Sequence, residues 1–381
     1  MIQEQSIKLN LELPKGDVNR QMEVFYNPIM ISNRNISILL LNSIPNTKMN
    51  IADPLAGSGI RSLRFLKELK KGKIQQLFVN DFKEDFVKKF KENLKLNDLD
   101  QKQIYPKQVV SGKNLLDINS EEANLFLLNR NGFDYIEVDP FGSPNPFLNS
   151  AINRLSREGI LAVTATDTAA LTGTYLKVTK RKYWATSLRN YMMHETGLRI
   201  LIRKVQLQGV QFDKALTPIL AYHKDHYFRV YFQCEKSKDK CDIILKQELY
   251  LLFCSNCLNF KSSEFNNEIC SCKKKFLYVG PLWSGKLFDS DLLKKMKQEN
   301  VFPEEEKFLE LLLNESKKDL LGFYDMHQIS EKLKVNPPKL EEIMKKLKAV
   351  RTHFSPTGIK TEKSIEAIEK LFEKKKNNDN N

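Results

Sequence analysis

Residues 49–65 read MNIADPLAGSGIRSLRF. MNIADPL is a short apolar run ending in acid at Asp53, AGSG supplies a glycine turn, and IRSLRFLKELKKG has helical periodicity closed by Gly72. The same arrangement follows at once: QQLFVND ends in Asp81 and precedes the amphipathic stretch KEDFVKKFKENLKLN. A third strand is expected over residues 105–111, YPKQVVS, and a fourth over 133–139, FDYIEVD, ending in Asp139. After a helix over 146–157, GILAVTAT reads as a fifth strand. Strands alternating with helical crossovers predict a largely parallel sheet.

A long helix, YWATSLRNYMMHETGLRILIRKVQLQ, then leads into FDKALTPILAYH and HYFRVYFQC. Only a few residues separate these two strand-like stretches, so they should pair as an antiparallel hairpin. An α/β sheet of parallel strands finished by such a hairpin is expected of class I (Rossmann-like) methyltransferases, and is also compatible with a nucleotide-binding Rossmann domain. The texture changes near residue 236, where KSKDKCD is a charged break. The expected organisation is a methyltransferase domain over 1–235, an α+β C-terminal domain over 236–370, and a polar, disordered tail over 371–381.

With 61 Lys+Arg against 47 Asp+Glu the chain carries +14. That excess fits a polyanionic partner, since phosphate neutralisation supplies most non-specific nucleic-acid affinity. A lysine bias from an AT-rich genome gives the same number. The N-terminal residues lack a charged-then-apolar signal pattern, and no apolar run approaches the roughly 18 residues that span a bilayer. A cytoplasmic, monomeric protein without a membrane partner is expected.

Three strand ends carry candidate chemistry. The DPLAGSG turn, with Asp53, Gly57 and Gly59, lets a ligand approach the backbone at a helix N-terminus, although a tight turn without a ligand reads the same way. Asp81 stands where doubly wound folds place an acid for ribose hydroxyls, or else it caps the following helix. VDPFGSP (138–144) sets a carboxylate, Asp139, against the rigid Pro140 and the aromatic face of Phe141. Acceptors aimed at the N–H bonds of a ring-attached amine localise its lone pair, and a carboxylate can take up the proton. The alternative is an ordinary β-turn.

Six cysteines are too few for a disulfide scaffold, but four fall in CSNC (254–257) and CSC (270–272). Cys254, Cys257, Cys270 and Cys272 have nearly the spacing of a closed, structural zinc site of four thiolates. Cys234 and Cys241 read as ordinary thiols, and His194, His223 and His226 as packed or surface histidines. FYDMHQISEKLKVNPPKLEEIMKKLKAV (323–350) suggests two helices around a turn, a winged-helix-like unit that either touches nucleic acid or only packs.

Together these stretches resemble the tRNA (guanine-26-N2)-dimethyltransferases of the archaeal and eukaryotic type, over nearly the whole chain. VFYNPIMISNRNIS (24–37), DPLAGSGIRSLRF, VNDFKEDF, YIEVDPFGSP, ATDTAALTGTY (165–175), HETGLRIL (194–201), the paired cysteines and RTHFSPTGIKT (351–361) carry the resemblance. It implies S-adenosylmethionine as methyl donor and N2 of a guanine in tRNA as acceptor, methylated once and then again. It further implies Asp139 as catalytic carboxylate, Pro140 as a carbonyl acceptor and Phe141 as a wall of the base pocket. Arg34 and Arg61 are implied as cofactor ligands, Asp81 as the ribose ligand, and Phe25 and Asn27 as bordering the pocket. The chain departs from the pattern at AGSG, where many members have a single glycine. It departs again at SGKN, where an acid is expected for the adenine amine and the backbone of Gly112 and Lys113 is left to serve. A DNA or other RNA amino-methyltransferase is the competing enzyme, and a non-catalytic RNA-binding protein the competing class.

Overall fold

The computed structural model describes residues 1–11, 26–99 and 115–379, with side chains to residue 372. A small N-terminal hairpin, β1 (Ile2–Glu4) and β2 (Ile7–Leu9), precedes the main sheet. That sheet contains β3 (Met49–Asp53), β4 (Ile74–Asn80), β5 (Leu116–Asn119), β6 (Phe133–Val138), β7 (Leu155–Ala165), β8 (Lys214–Lys224) and β9 (Tyr227–Lys236). Its order is β5-β4-β3-β6-β7-β9-β8, and β9 alone runs against its neighbours. Helices cover both faces, so β3, β6 and β7 read as near-continuous apolar runs rather than alternating ones. The order reverses between β3 and β6, and ligands of such sheets bind outside the strand ends at that switch point. This is the class I methyltransferase arrangement expected from the sequence.

Two expectations shift. The third strand expected over 105–111 lies outside the described residues, and β5 at Leu116–Asn119 is the strand that pairs with β4. The long helix expected to begin at Tyr183 begins only at Met193 (Met193–Val210), and Tyr183 instead ends a preceding helix, Leu176–Tyr183. Trp184 turns left-handed (φ 54°) to close that helix, and Thr186 then bridges to Gly280, so periodicity alone extended the helix across a stretch set by tertiary contact.

Beyond β9 and the helix Lys238–Lys246, β10 (Glu248–Phe253), β11 (Phe260–Ser263) and β12 (Leu277–Trp283) form an antiparallel sheet that carries the cysteine turns. The helices Ser290–Gln298 and Glu306–Glu315 share one continuous hydrophobic cluster with the main sheet. The winged-helix-like segment follows. β13 (Tyr324–Asp325), β14 (Val350–Arg351) and β15 (Gly358–Lys360) pack with the helices Met326–Leu333 and Leu340–Leu347 around Ile329, Ile343 and Ile359. The last helix, Ile365–Asp379, runs into the segment whose composition suggested a disordered tail.

HETGLRIL and RTHFSPTGIKT meet where the helix Met193–Val210 packs against the C-terminal segment. Glu195, fully buried in the helix Met193–Val210, accepts hydrogen bonds from Arg199 Nε (2.9 Å), Lys360 Nζ (2.9 Å) and the Gly322 amide (3.0 Å). Buried Glu315 accepts from the Thr352 hydroxyl (2.7 Å), and the His353 ring lies 2.7 Å from its other oxygen. The Nε2 of His353 accepts from the His223 amide (3.3 Å), and the His223 ring stacks on His194 at 4.0 Å. A motif with no evident local purpose is the clasp that ties residues 351–361 to Glu195, Glu315 and His223.

The clasp predicts acid sensitivity. Burial, and then the neighbouring His194, His353 and His226, push the His223 imidazole down from 6.5 to about 3. Burial pushes the Glu315 carboxyl up, but His353 and Lys360 outweigh it and leave the group at about 2, against 4.5 when unperturbed. In both cases the unfolded chain takes up protons that the folded one refuses, so stability declines as pH falls. The His223 window runs from 6.5 down towards 3, and the Glu315 window from 4.5 towards 2. Burial-raised Asp53, at about 7 against 3.8, runs the opposite way over part of this range, so the clasp is read as a difference between variants. The margin in melting temperature of wild type over His223→Gln should be level above pH 7 and shrink as pH falls below 6.5; a margin unchanged from pH 7 to 5 would contradict this account.

Candidate active site

At the end of β3 the chain must turn sharply into a helix. Gly57 and Gly59 both take positive φ (58° and 74°), and a Cβ on Gly59 would lie 2.2 Å from the Phe90 ring. Small residues are thus required by the packing itself, whether or not a ligand also approaches. Asp53 is buried and accepts from the Ser62 hydroxyl (2.7 Å), and burial raises its carboxyl to about 7 against the pull of Arg61 and Ser62. At the end of β4, Asp81 accepts from the Gly57 amide (2.8 Å) and the Lys83 amide (3.2 Å), which leaves lone pairs facing the cleft. Asn80 fastens the adjoining loops, donating to the carbonyls of Pro54 and Glu121 (both 3.0 Å).

Asp139, Pro140 and Phe141 follow β6. Their loop is pinned to the end of β7, for the Gly142 amide donates to Thr166 Oγ1 (2.7 Å) and the Thr166 amide to the Gly142 carbonyl (3.0 Å). Ser143 Oγ lies 3.0 Å from the Tyr183 hydroxyl, which donates to Asp167 (2.6 Å). Asp139 is held from below by Arg61 Nη2 at 2.5 Å. Arg61 also donates to Ser37 Oγ (2.8 Å) and Asn33 Oδ1 (2.9 Å) and lies 3.5 Å from Glu137. Glu137 is fully buried in β6, and Arg229 of β9 pairs with both its oxygens. Two arginines thus balance two carboxylates beneath the sheet's mouth.

Three hollows meet here. A cleft of about 540 Å³ is lined by Leu55, Gly57, Asp81, Phe82, Phe147 and Lys182 together with the Asp139–Phe141 loop. A second of about 270 Å³ takes Asn27, Met30, Arg34, Thr166, His226 and Tyr227 with the same three loop residues. A narrow space between Tyr26, Arg34, Asp53, Arg61 and Asp139 adjoins both. Asp139 borders all three, so one carboxylate faces a cleft long enough for a nucleoside and a pocket wide enough for a flat base.

The candidate residues differ in how free they are. Arg34 lines the second pocket and the narrow space, but its fork is bound to Glu4 (2.7 and 2.6 Å) and to the Asn27 carbonyl (3.1 Å). Asn27 caps the following turn by accepting from the Ile29 amide (3.0 Å), which leaves its side-chain NH2 for the pocket. Phe25, Gly112 and Lys113 lie outside the described residues.

A family model described as N2,N2-dimethylguanosine tRNA methyltransferase matches residues 2–373. The chain belongs to this family. It is 37% identical over 377 residues to the Aquifex aeolicus tRNA (guanine(26)-N(2)/guanine(27)-N(2))-dimethyltransferase, covering 95% of this chain and 92% of that protein. It is 36% identical to the Pyrococcus horikoshii tRNA (guanine(26)-N(2))-dimethyltransferase, covering 97% and 99%. The structure of Trm1 from P. horikoshii in complex with S-adenosyl-L-methionine superposes with a TM-score of 0.81 at 33% identity, covering 96% of this chain and 98% of that one.

Sequence reasoning missed Glu137, Arg229, Asn80, Thr166, Tyr183 and His226. Glu137 in YIEVD and Arg229 in HYFRVYF do leave a signal. Each is a charge inside an otherwise apolar strand, and buried charges are paired.

The four cysteines converge as well. Their sulfurs lie within 4.8 Å of one another, with Cys254–Cys272 at 3.5 Å and Cys257–Cys270 at 3.4 Å, and none is in a disulfide. A tetrahedral ZnS4 site with bonds near 2.3 Å places its sulfurs roughly 3.8 Å apart, so the set fits zinc with little adjustment.

Proposed function

We propose that the chain transfers methyl groups from S-adenosylmethionine to N2 of guanine 26 in tRNA, giving the mono- and then the dimethylated base, with Asp139 as the catalytic carboxylate. The observation that carries this reading is the place of Asp139, shared by the Gly57–Asp81 cleft and the Asn27–His226 pocket. The first suits a nucleoside cofactor. Asp81 offers acceptors for ribose hydroxyls, Phe82 is an exposed ring at its edge, and Gly57 brings backbone close. Arg34, Asp53 and Arg61 ring the narrow space between, where a cofactor's amino and carboxylate groups would find opposite charges. When bound, the cofactor supplies a methyl group on a sulfonium centre and departs as a neutral thioether.

The chain's own part is to hold the amine and take its proton. The Asp139 carboxylate and the Pro140 carbonyl accept from the two N2–H bonds, drawing the lone pair out of the ring's conjugation. Phe141 provides a face for the base. As N2 forms its bond to the methyl carbon, one N–H proton passes to Asp139. One N–H remains after the first transfer, and once Asp139, partly exposed at the cleft, has passed its proton to solvent the same carboxylate serves the second. Reaching N2 through this pocket requires the guanine to leave its stack.

The test is nucleoside mass spectrometry of unmodified tRNA incubated with the protein and S-adenosylmethionine, expected to yield N2-methyl- and then N2,N2-dimethylguanosine at position 26. Methylation of rRNA or DNA instead would support the competing enzyme. Transfer at both 26 and 27 would place the chain with the Aquifex relative.

Cys254, Cys257, Cys270 and Cys272 hold a structural zinc in this reading. Elemental analysis should find one zinc per chain. Cys257→Ser should reduce it and lower the melting temperature, while a metal-free protein of full stability would refute the assignment. The enzyme works as a monomer, in the cytoplasm with its tRNA.

A further inference from the structure

The helix Leu176–Tyr183 and its flanks carry charge that the fold leaves unused. Lys177, Lys180 and Arg181 are exposed and pair with no acid among the described residues. Their i, i+3, i+4 spacing sets them on one face, where like charges in adjacent turns repel. Trp184, 49% exposed, ends the helix in a left-handed turn with the Lys204 ammonium 3.1 Å from its ring centroid, and Tyr175, 59% exposed, stands at the helix start. One turn of helix thus offers three cations between two aromatic rings.

The helix is also fastened to the catalytic loop. Tyr183 is fully buried, and its hydroxyl joins Ser143 to Asp167. The Asn145 side chain donates to the Lys182 carbonyl (2.9 Å), and the Lys182 ammonium, 3.5 Å from Asp167, borders the cleft beside Asp139. Nothing in the packing calls for a cationic outer face on a helix whose inner face is so tightly held. A polyphosphate backbone does, and unstacked bases can lie on the rings.

We infer that the Lys177–Lys180–Arg181–Trp184 face binds the tRNA backbone beside the target guanine, and that the Tyr183–Ser143 link sets the Asp139 loop against the strand so bound. The inference rests on the reading of the chain as a tRNA methyltransferase. It names the surface through which the substrate is held.

The test compares Lys177→Ala/Lys180→Ala/Arg181→Ala with a control, Lys238→Ala/Lys240→Ala/Lys246→Ala. The control helix, Lys238–Lys246, follows β9 at the far end of the sheet. Phe228 of β9 pairs with Ala165 at the cleft end of β7, whereas Gln233 pairs with Ile160 at the other. Equilibrium tRNA binding is measured by filter retention across 50–300 mM salt, S-adenosylmethionine binding by calorimetry, and folding by circular dichroism. The cleft-side variant should bind tRNA roughly tenfold more weakly, with the salt slope reduced by about 2 to 3, since each phosphate contact contributes about 0.7–0.9. Its loss of activity should appear in KM, with cofactor affinity retained. An unchanged KM and slope, or an equal loss in the control, would overturn the surface assignment. If the wild-type chain methylates no tRNA, the functional reading falls instead, and the binding comparison still decides the surface.

Discussion

Asp139→Asn should lower the rate of methyl transfer by about 10²- to 10⁴-fold while leaving tRNA and cofactor binding within a few-fold of wild type. That range is typical for removing a positioned proton acceptor. The amide keeps the size of the carboxylate and one oxygen for Arg61, so the buried charges beneath are little disturbed. Arg61 retains Ser37 at 2.8 Å, Asn33 at 2.9 Å and Glu137 at 3.5 Å. What the amide lacks is the capacity to accept a proton from an amine turning cationic as its new bond forms. Single-turnover transfer with both substrates saturating isolates this step from association. A variant retaining a tenth of wild-type activity would remove Asp139 from the catalytic role. A loss confined to KM would make it a binding residue. Asp139→Ala should be equally slow but less stable, since it leaves the end of Arg61 without its nearest partner.

How far these residues could be read in the chain depends on the range of the interaction. The turn after β3 and the acids ending β3, β4 and β6 are legible, because strand ends, glycine turns and helix starts are set by neighbours in sequence. The antiparallel hairpin of β8 and β9 is legible for the same reason, only two residues separating its strands. Arg34 shows where that legibility stops. Its guanidinium is held by Glu4, thirty residues earlier, and no local pattern announces the pair. The break between the helices at Leu176–Tyr183 and Met193–Val210 depends on Thr186 meeting Gly280, a contact ninety-four residues away. Glu137 and Arg229 lie between these cases. A charge within an apolar strand signals a buried partner, but only the sheet order, with β9 beside β7, brings that partner close. The surroundings of Phe25, Gly112 and Lys113 stay an expectation from the sequence.

RTHFSPTGIKT has no local role that its sequence announces; in the fold its Lys360 meets buried Glu195, and that pair yields the largest expected change in stability. Glu195→Ala should destabilise the protein by about 3–5 kcal/mol, the usual cost of stranding a buried charge. Lys360 would keep the Leu320 carbonyl at 2.6 Å, Glu315 at 3.7 Å and the face of Phe354, and Glu315 is already engaged by Thr352 and His353. Arg199 would keep the carbonyls of Trp283, Gly285 and Leu320 and the more distant Asp319 carboxylate at 3.9 Å, but lose the carboxylate at 2.9 Å. The deficit is therefore one negative charge among cations that cannot reach water. Removing the lysine as well should recover much of the loss, because replacing both partners of a buried pair with apolar groups is often close to neutral. Thermal melts of Glu195→Ala, Lys360→Met and the double variant close the cycle. The double variant should melt above Glu195→Ala, and limited proteolysis should cut the 317–372 segment soonest in Glu195→Ala. A single variant that melts with wild type, or a double variant worse than either single, would mean that this pair does not hold the C-terminal segment to the helix Met193–Val210.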